Sequence, residues 1–315
     1  MFITELKIEE FRGIRKCESP IKLSKFTVLI GRNNVGKSAI LEALYLFPHP
    51  KITDIIYDQY KIHVIRGLHN AQTINSLIYG YYGSARLEYI FDSKCLGISI
   101  SSDGNIEVNV DDSTISSLSN LRETLKIEEL ENITFLIPNN FHFISRIYNV
   151  ILREWDKIVK FGYHIKVAKV ISRCVKEEIT EILDGKRIRK VLPDGNIFYI
   201  NLDDLGDGIR KVVKVMLLIE SLNPNIILWD DFEIFAHPTL IKEILRWLAE
   251  GDWQVIISTH SINVLYELIN LKDILSEDAS ILQLYKTKDD VLKYNVLTLE
   301  ELEDLILANQ DWLIY

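Results

Sequence analysis

The sequence predicts an α/β fold organised around a parallel core sheet, and three observations predict it. Residues 26–47, FTVLIGRNNVGKSAILEALYLF, pass from a continuous apolar run through a glycine loop into apolar residues spaced at helical period. Between residues 207 and 270 helical stretches alternate with short apolar runs, as when helices cover a parallel sheet. The composition, 48% hydrophobic and 26% charged with only 14 Gly and 7 Pro in 315 residues, supports a large core and excludes a disordered chain.

Charge and cysteine content narrow the setting. A net charge of -9 gives no overall basic field, so contact with nucleic acid would have to use a local patch. Residues 151–190 hold eleven Lys or Arg against six Asp or Glu, a net +5, which suits a solvated helical face or a nucleic-acid or partner surface. Cys17, Cys95 and Cys174 are too few and too scattered for a disulfide framework or a metal site, which points to a reducing compartment. The opening MFITELKIEEFRG has no apolar signal core, and no run of about 18 apolar residues follows. A cytoplasmic protein with no membrane segment is expected.

Taken in order, residues 2–10 alternate, with Phe2, Leu6 and Ile8 on one side and Ile3, Glu5, Lys7 and Glu9 on the other, the period of a half-buried strand. PIKLSKFTVLIG reads as a strand buried on both faces that ends at Gly31. Ile40, Leu41, Leu44 and Phe47 form a helical stripe that Pro48 and Pro50 stop. ARLEYIF, LGISI and NIEVNV are strands, with SSDGN as a hairpin turn. Residues 115–184 lean helical, with helices expected to end at Gly162 and Gly185. RIRKVLPDGNIFYINL reads as a further hairpin, and helix, strand, helix, strand, helix follow to about residue 271. The chain is read as one domain over 1–315, with 1–114 and 186–315 forming a nucleotide-binding α/β lobe and 115–185 a helical lobe.

The chemistry starts at the glycine loop. GRNNVGKS, that is Gly31, Arg32, Asn33, Asn34, Val35, Gly36, Lys37 and Ser38, matches the pattern whose glycines let successive backbone N–H groups wrap phosphate oxygens at a helix N-terminus. Lys37 is expected to reach the β- and γ-phosphates, and the Ser38 hydroxyl to ligate Mg²⁺. Hydrolysis further needs a carboxylate at a strand end, which NIILWDDFE supplies: Asp230 to hold the metal through water, Asp231 to orient or deprotonate the attacking water. Glu233 is either a second acid in the site or a solvent-facing charge. WQVIISTHS places His260 at another strand end, where it can contact a γ-phosphate. His237, in FAHP, has only a packing role to recommend it. Gly206, Asp207 and Gly208 precede a helix and, by themselves, read as a loop with an N-cap.

In order, these segments resemble the ABC-type ATPase heads of the SMC, RecF and OLD group, most closely the small stand-alone AAA-domain ATPases related to OLD proteins. ELKIEEFRGIRK with its Phe11-Arg12-Gly13, the glycine loop, LGDGIRK, IILWDDFEIFAHP and QVIISTHS carry the resemblance over nearly the whole length. It implies a P-loop ABC head, ATP and Mg²⁺ as ligands, Arg12 among the nucleotide contacts, and a head-to-tail dimer enclosing two ATP molecules. In that arrangement Gly206, Asp207 and Gly208 contact the nucleotide bound by the other subunit. It also implies coupling to DNA or to a nuclease, toxin or other effector protein. The chain departs from the pattern in three places. Asp231 stands where Glu is usual, one methylene short, so slow turnover is expected. The usual loop glutamine has two candidates, Gln59 and Gln72. No acidic cluster follows THS, so no nuclease of its own is expected.

Overall fold

The computed structural model describes residues 1–235, 238–275 and 278–308. The strand Phe26–Ile30 lies at the centre of a parallel group, flanked by Gln254–Ser258 on one side and Ala279–Lys286 on the other. Beyond Gln254–Ser258 come Ile226–Trp229 and then Thr134–Ile137, also parallel. The apolar runs are continuous because both faces of this sheet are covered. Val28, Ile227 and Ile257 enter one core cluster, while Leu29, Leu228 and Ile256 enter the other.

On its other flank the sheet continues into an antiparallel part. Val291–Leu297 pairs antiparallel with Ala279–Lys286 and parallel with Ile14–Cys17, after which Ile3–Phe11, Ser84–Phe91, Lys94–Ser101 and Ile106–Val110 follow in antiparallel order. The SSDGN turn is the expected hairpin, with Gly104 at φ 90. Simple alternation fails in the first strand. A register shift between Ile3 and Glu5 and a left-handed Glu10 at φ 53 put Ile3, Leu6, Ile8 and Phe11 all in the core, where alternation had set Ile3 with the charged face.

Two readings of the 115–185 segment change. Thr134–Ile137 is a strand of the core sheet rather than part of a helical lobe: four residues, TFLI, all buried beside the strand Ile226–Trp229 that leads into Asp230. The helix Tyr163–Val175 does not run to Gly185. It stops at Lys176, left-handed at φ 55, and Glu178–Leu183 forms a strand paired with Arg187–Val191, which pairs in turn with Ile197–Asn201. Its β-branched Ile179, Thr180 and Ile182 suit that strand. The helix expected to run unbroken to Gly162 is two, Phe141–Arg153 and Trp155–Lys160, interrupted at Glu154, and Gly162 follows the second at φ 71.

The helix Lys37–Tyr45, expected to carry an apolar stripe, is buried on nearly all sides. Under its C-terminal end lies Lys61, fully buried, whose Nζ donates to Phe47 O at 3.2 Å and to Thr134 Oγ1 at 2.6 Å. Burial pushes the Lys61 ammonium down to about 7 against partial support from Asp54 and Glu131. Among the described residues no helix is long and apolar enough to cross a membrane.

Candidate functional site

Four neighbouring parallel strands end at one edge, and each delivers a polar residue there. Ile30 leads into the glycine loop, Trp229 into Asp230 and Asp231, Ser258 into Thr259 and His260, and Ile137 into Asn139. Ligands of open α/β sheets bind at such carboxyl edges.

The loop has the backbone that its glycines require. Gly31 sits at φ 144, with the Leu284 carbonyl oxygen 2.5 Å from where a Cβ would stand, and Gly36 at φ 114 opens the helix. Asn34, at φ 65, takes the left-handed turn between them. Lys37 is folded back over the loop, its Nζ donating to Gly31 O at 2.8 Å and to Arg32 O at 3.2 Å. Burial lowers its pKa, and the carboxylates of Asp231, Asp230 and Glu233 oppose that shift.

Opposite Lys37, Asp230 accepts a hydrogen bond from Ser258 Oγ at 2.6 Å, and the Ser38 hydroxyl lies close enough to influence its charge. Burial raises the Asp230 pKa, and those two hydroxyls pull it back. Ser258 also accepts from the Asp231 N–H at 2.8 Å, so one hydroxyl fixes both acids. Asp231 is left-handed, φ 46, and accepts from Asn139 Nδ2 at 2.9 Å. It lines a cleft of about 310 Å³ together with Arg12, Asn33, Asn34, Gly36, Lys37 and Ser38.

Glu233 belongs to the site and not to a solvent-facing loop. It accepts from Thr259 Oγ1 at 2.7 Å and from the His260 N–H at 3.0 Å, and its Oε1 lies 2.8 Å from His260 Nδ1. Asp231 Oδ1 is 3.6 Å from the same nitrogen. Donation from Nδ1 to Glu233 leaves Nε2 as the ring atom open to a ligand. One ligand atom from each of Asp231, Glu233 and His260 falls within 4.8 Å of the others.

Arg12, placed here by resemblance alone, does line the cleft; it is left-handed at φ 53 and its Nε lies 3.1 Å from Glu42 Oε2. His69 bridges the same pair, its Nε2 2.5 Å from Glu42 Oε1 and its Nδ1 3.2 Å from Arg12 Nη2. Lys286 is a further cation on the cleft, tied to Gly13 O at 2.8 Å. Sequence reasoning missed Glu42, His69, Lys286, Ser258 and Asn139, which converge only in the folded chain. Neither Gln59 nor Gln72 lines the cleft; a side-chain amide that does reach Asp231 is that of Asn139. Its signal was the apolar TFLI followed by PNN, a strand end hidden in a stretch read as helical.

Gly206, Asp207 and Gly208 open the helix Asp207–Leu222 and do not line this chain's own cleft. Asp207 is ion-paired with Arg210 and, at 2.8 Å, with Lys211, and these cations lower its pKa. His237 lies outside the described residues.

Residues 26–265 match the protein family described as "AAA domain, putative AbiEii toxin, Type IV TA system", about three quarters of the chain. A curated relative, the DNA replication and repair protein RecF of Trichlorobacter lovleyi, is 32% identical over 103 residues, which are 30% of this chain and 27% of that one. The chain thus matches little more than a quarter of that relative's length. Among solved structures, the Smc head domain of Pyrococcus furiosus bound to the C-terminal domain of ScpA superposes with a TM-score of 0.64 at 13% identity, covering 98% of this chain and 99% of that one. RecF bound to ATP superposes with a TM-score of 0.52 at 12% identity over 94% and 99% of the two chains. At these identities the likeness speaks for the fold, that of an ABC-type ATPase head.

Proposed function

Because the chain belongs to this AAA-domain family of ATPases, we propose that it binds and hydrolyses ATP with Mg²⁺, slowly, and that ATP draws two copies into a head-to-tail dimer. The observation that carries the reading is the convergence of Lys37, Ser38 and Asp231 on one cleft at the carboxyl edge of the sheet, with Asp230 behind it on Ser258. The glycine-loop N–H groups and Lys37 receive phosphate oxygens, and the two carbonyl contacts of Lys37 give way to them.

The donor set suits Mg²⁺, a hard cation that takes oxygen ligands: Ser38 and Asp230 offer neighbouring hydroxyl and carboxylate oxygens. These two residues would hold the ion, which supplies charge neutralisation on the phosphates when bound. Asp231, oriented by Asn139 and by Ser258, positions or deprotonates the attacking water, and His260 presents Nε2 to the γ-phosphate. Gly206, Asp207 and Gly208 act on the nucleotide of the other copy. Support for that role is their position at the start of a 16-residue helix away from the cleft of their own chain.

Purified protein is expected to release phosphate from ATP, and Lys37→Ala or Asp230→Ala to abolish release. Unchanged turnover in either variant sinks the assignment. A second reading, an ATP-gated module that regulates a DNA-bound or effector partner with incidental hydrolysis, is favoured by the short side chain of Asp231. Sedimentation with and without ATP separates the two, since ATP-driven dimers that release no phosphate support the module. Coupling to DNA rests on the likeness to RecF and on the +5 segment at 151–190. Retardation of duplex DNA that weakens steeply with salt is the expected result.

A further inference from the structure

Three side chains from separate elements close a ring at the wall of the cleft. Glu42 stands one helical turn after Ser38 on the helix Lys37–Tyr45 and so shares its face. His69 follows the helix Lys61–Leu68, and Arg12 sits in the turn between the strands Ile3–Phe11 and Ile14–Cys17. Glu42 is only 4% exposed, so its carboxylate needs partners inside the protein. Arg12 Nε approaches Glu42 Oε2 to 3.1 Å, yet among the described residues that oxygen has no hydrogen-bond partner, so the contact is an ion pair without hydrogen-bond alignment. The hydrogen bond that sets the angle of the carboxylate comes from His69, whose Nε2 lies 2.5 Å from Oε1.

Donor and acceptor chemistry fixes the state of the ring. A guanidinium only donates, so His69 Nδ1, 3.2 Å from Arg12 Nη2, accepts. Nε2 then carries the ring hydrogen and donates it to Glu42, which makes His69 the neutral Nε2–H tautomer. Arg12 is thereby gripped along its Nε–Nη2 edge, by Glu42 at one atom and by His69 at the other, and Nη1 is left outside the grip.

We propose that His69 is a positioning residue of the ATP site: through Glu42 and through its own Nδ1 it holds the Arg12 side chain at the cleft, with Nη1 presented to the nucleotide. The inference rests on the ATP-binding reading above and adds to it what keeps the arginine in place. An unheld arginine has many rotamers, and ordering it before the ligand arrives removes that entropy loss from binding. Without the ring, Glu42 keeps its charge but loses the hydrogen bond that aims it, and Arg12 loses an acceptor at Nη2. His69 touches no phosphate in this scheme and acts only through Arg12.

The test is a double-mutant cycle read by calorimetry with Mg-ATP: wild type, His69→Ala, Arg12→Ala and the two together, with His69→Gln as a fifth protein. The His69 side chain is 33% exposed, so its truncation is not expected to prevent folding. The expected result is roughly tenfold weaker ATP binding in His69→Ala and no further loss when His69→Ala is added to Arg12→Ala. His69→Gln, whose amide offers one donor and one acceptor, should restore binding to near the wild-type level. Equal ATP affinity in His69→Ala and wild type overturns the proposal. So does an undiminished loss from His69→Ala in the Arg12→Ala background, because His69 then acts without Arg12. Both outcomes leave ATP binding standing, whereas wild type that binds no Mg-ATP removes the ATP-binding reading and this proposal together.

Discussion

Replacing Lys61 with methionine should stabilise the protein and flatten its stability against pH. Burial brings the Lys61 ammonium down to about 7 in the folded chain, from 10.5 when exposed. At roughly 1.4 kcal/mol per unit, burying this lysine costs about 5 kcal/mol below pH 7. The sign follows from proton counts: between the two values the unfolded chain holds the proton and the folded chain does not, so stability rises with pH. The penalty is therefore full below the folded pKa and fades as pH climbs towards 10.5. Methionine has similar reach and no charge, and Thr134 Oγ1 still lies 3.0 Å from Tyr45 O and 3.3 Å from Phe47 O, so a carbonyl partner remains. Setting the two lost Lys61 hydrogen bonds at about 1 kcal/mol each leaves a net gain of about 3 kcal/mol at pH 7. Two thiols complicate the alkaline side, because buried Cys17 and half-buried Cys174 are pushed up to about 11 and about 12 and contribute the opposite slope. They are common to both proteins and cancel in the comparison. Denaturant midpoints at pH 7.0, 7.5, 8.0 and 8.5 are the assay. Wild type should gain about 1.5 kcal/mol across that range relative to Lys61→Met. Parallel pH slopes, or a variant less stable than wild type at pH 7, would refute the reasoning.

Two further outcomes follow from the site. Gly31→Ala puts a methyl group 2.5 Å from Leu284 O on a residue at φ 144; overpacking and backbone strain together should lower stability by roughly 3 kcal/mol and abolish ATP binding, read by thermal melts and calorimetry. Glu233→Gln keeps the shape but weakens the hold on His260 Nδ1, so kcat should fall at least tenfold with ATP affinity nearly unchanged; equal losses in both would mark Glu233 as a folding residue instead.

The parts of the site that the sequence made legible are those whose chemistry is contiguous. Gly31 to Ser38 is read along the chain because one loop wraps one phosphate, and Asp230 and His260 because each ends an apolar strand. Convergent parts were opaque for a physical reason. Arg12, Glu42 and His69 meet across three elements, and nothing in the order of residues says that Glu42, on a helix buried almost throughout, is held by both. The strand Thr134–Ile137 was lost because four apolar residues have no period long enough to distinguish strand from helix. That loss carried Asn139 with it, and a glutamine was sought at positions 59 and 72, which stand away from the cleft. Ile3 was misassigned because a bulge, which local sequence barely announces, shifts the alternation by one residue.

Asn139 and Asn140 sit side by side between the strand Thr134–Ile137 and the helix Phe141–Arg153. The first donates its amide to Asp231 at 2.9 Å, and the second caps the helix Phe141–Arg153 by accepting from the His142 N–H at 2.8 Å. A single peptide unit therefore links an acid of the cleft to a 13-residue helix, without the slack that a longer loop would provide. A tilt of that helix would therefore be passed through one peptide unit to the Asp231 carboxylate, the group proposed to align the attacking water.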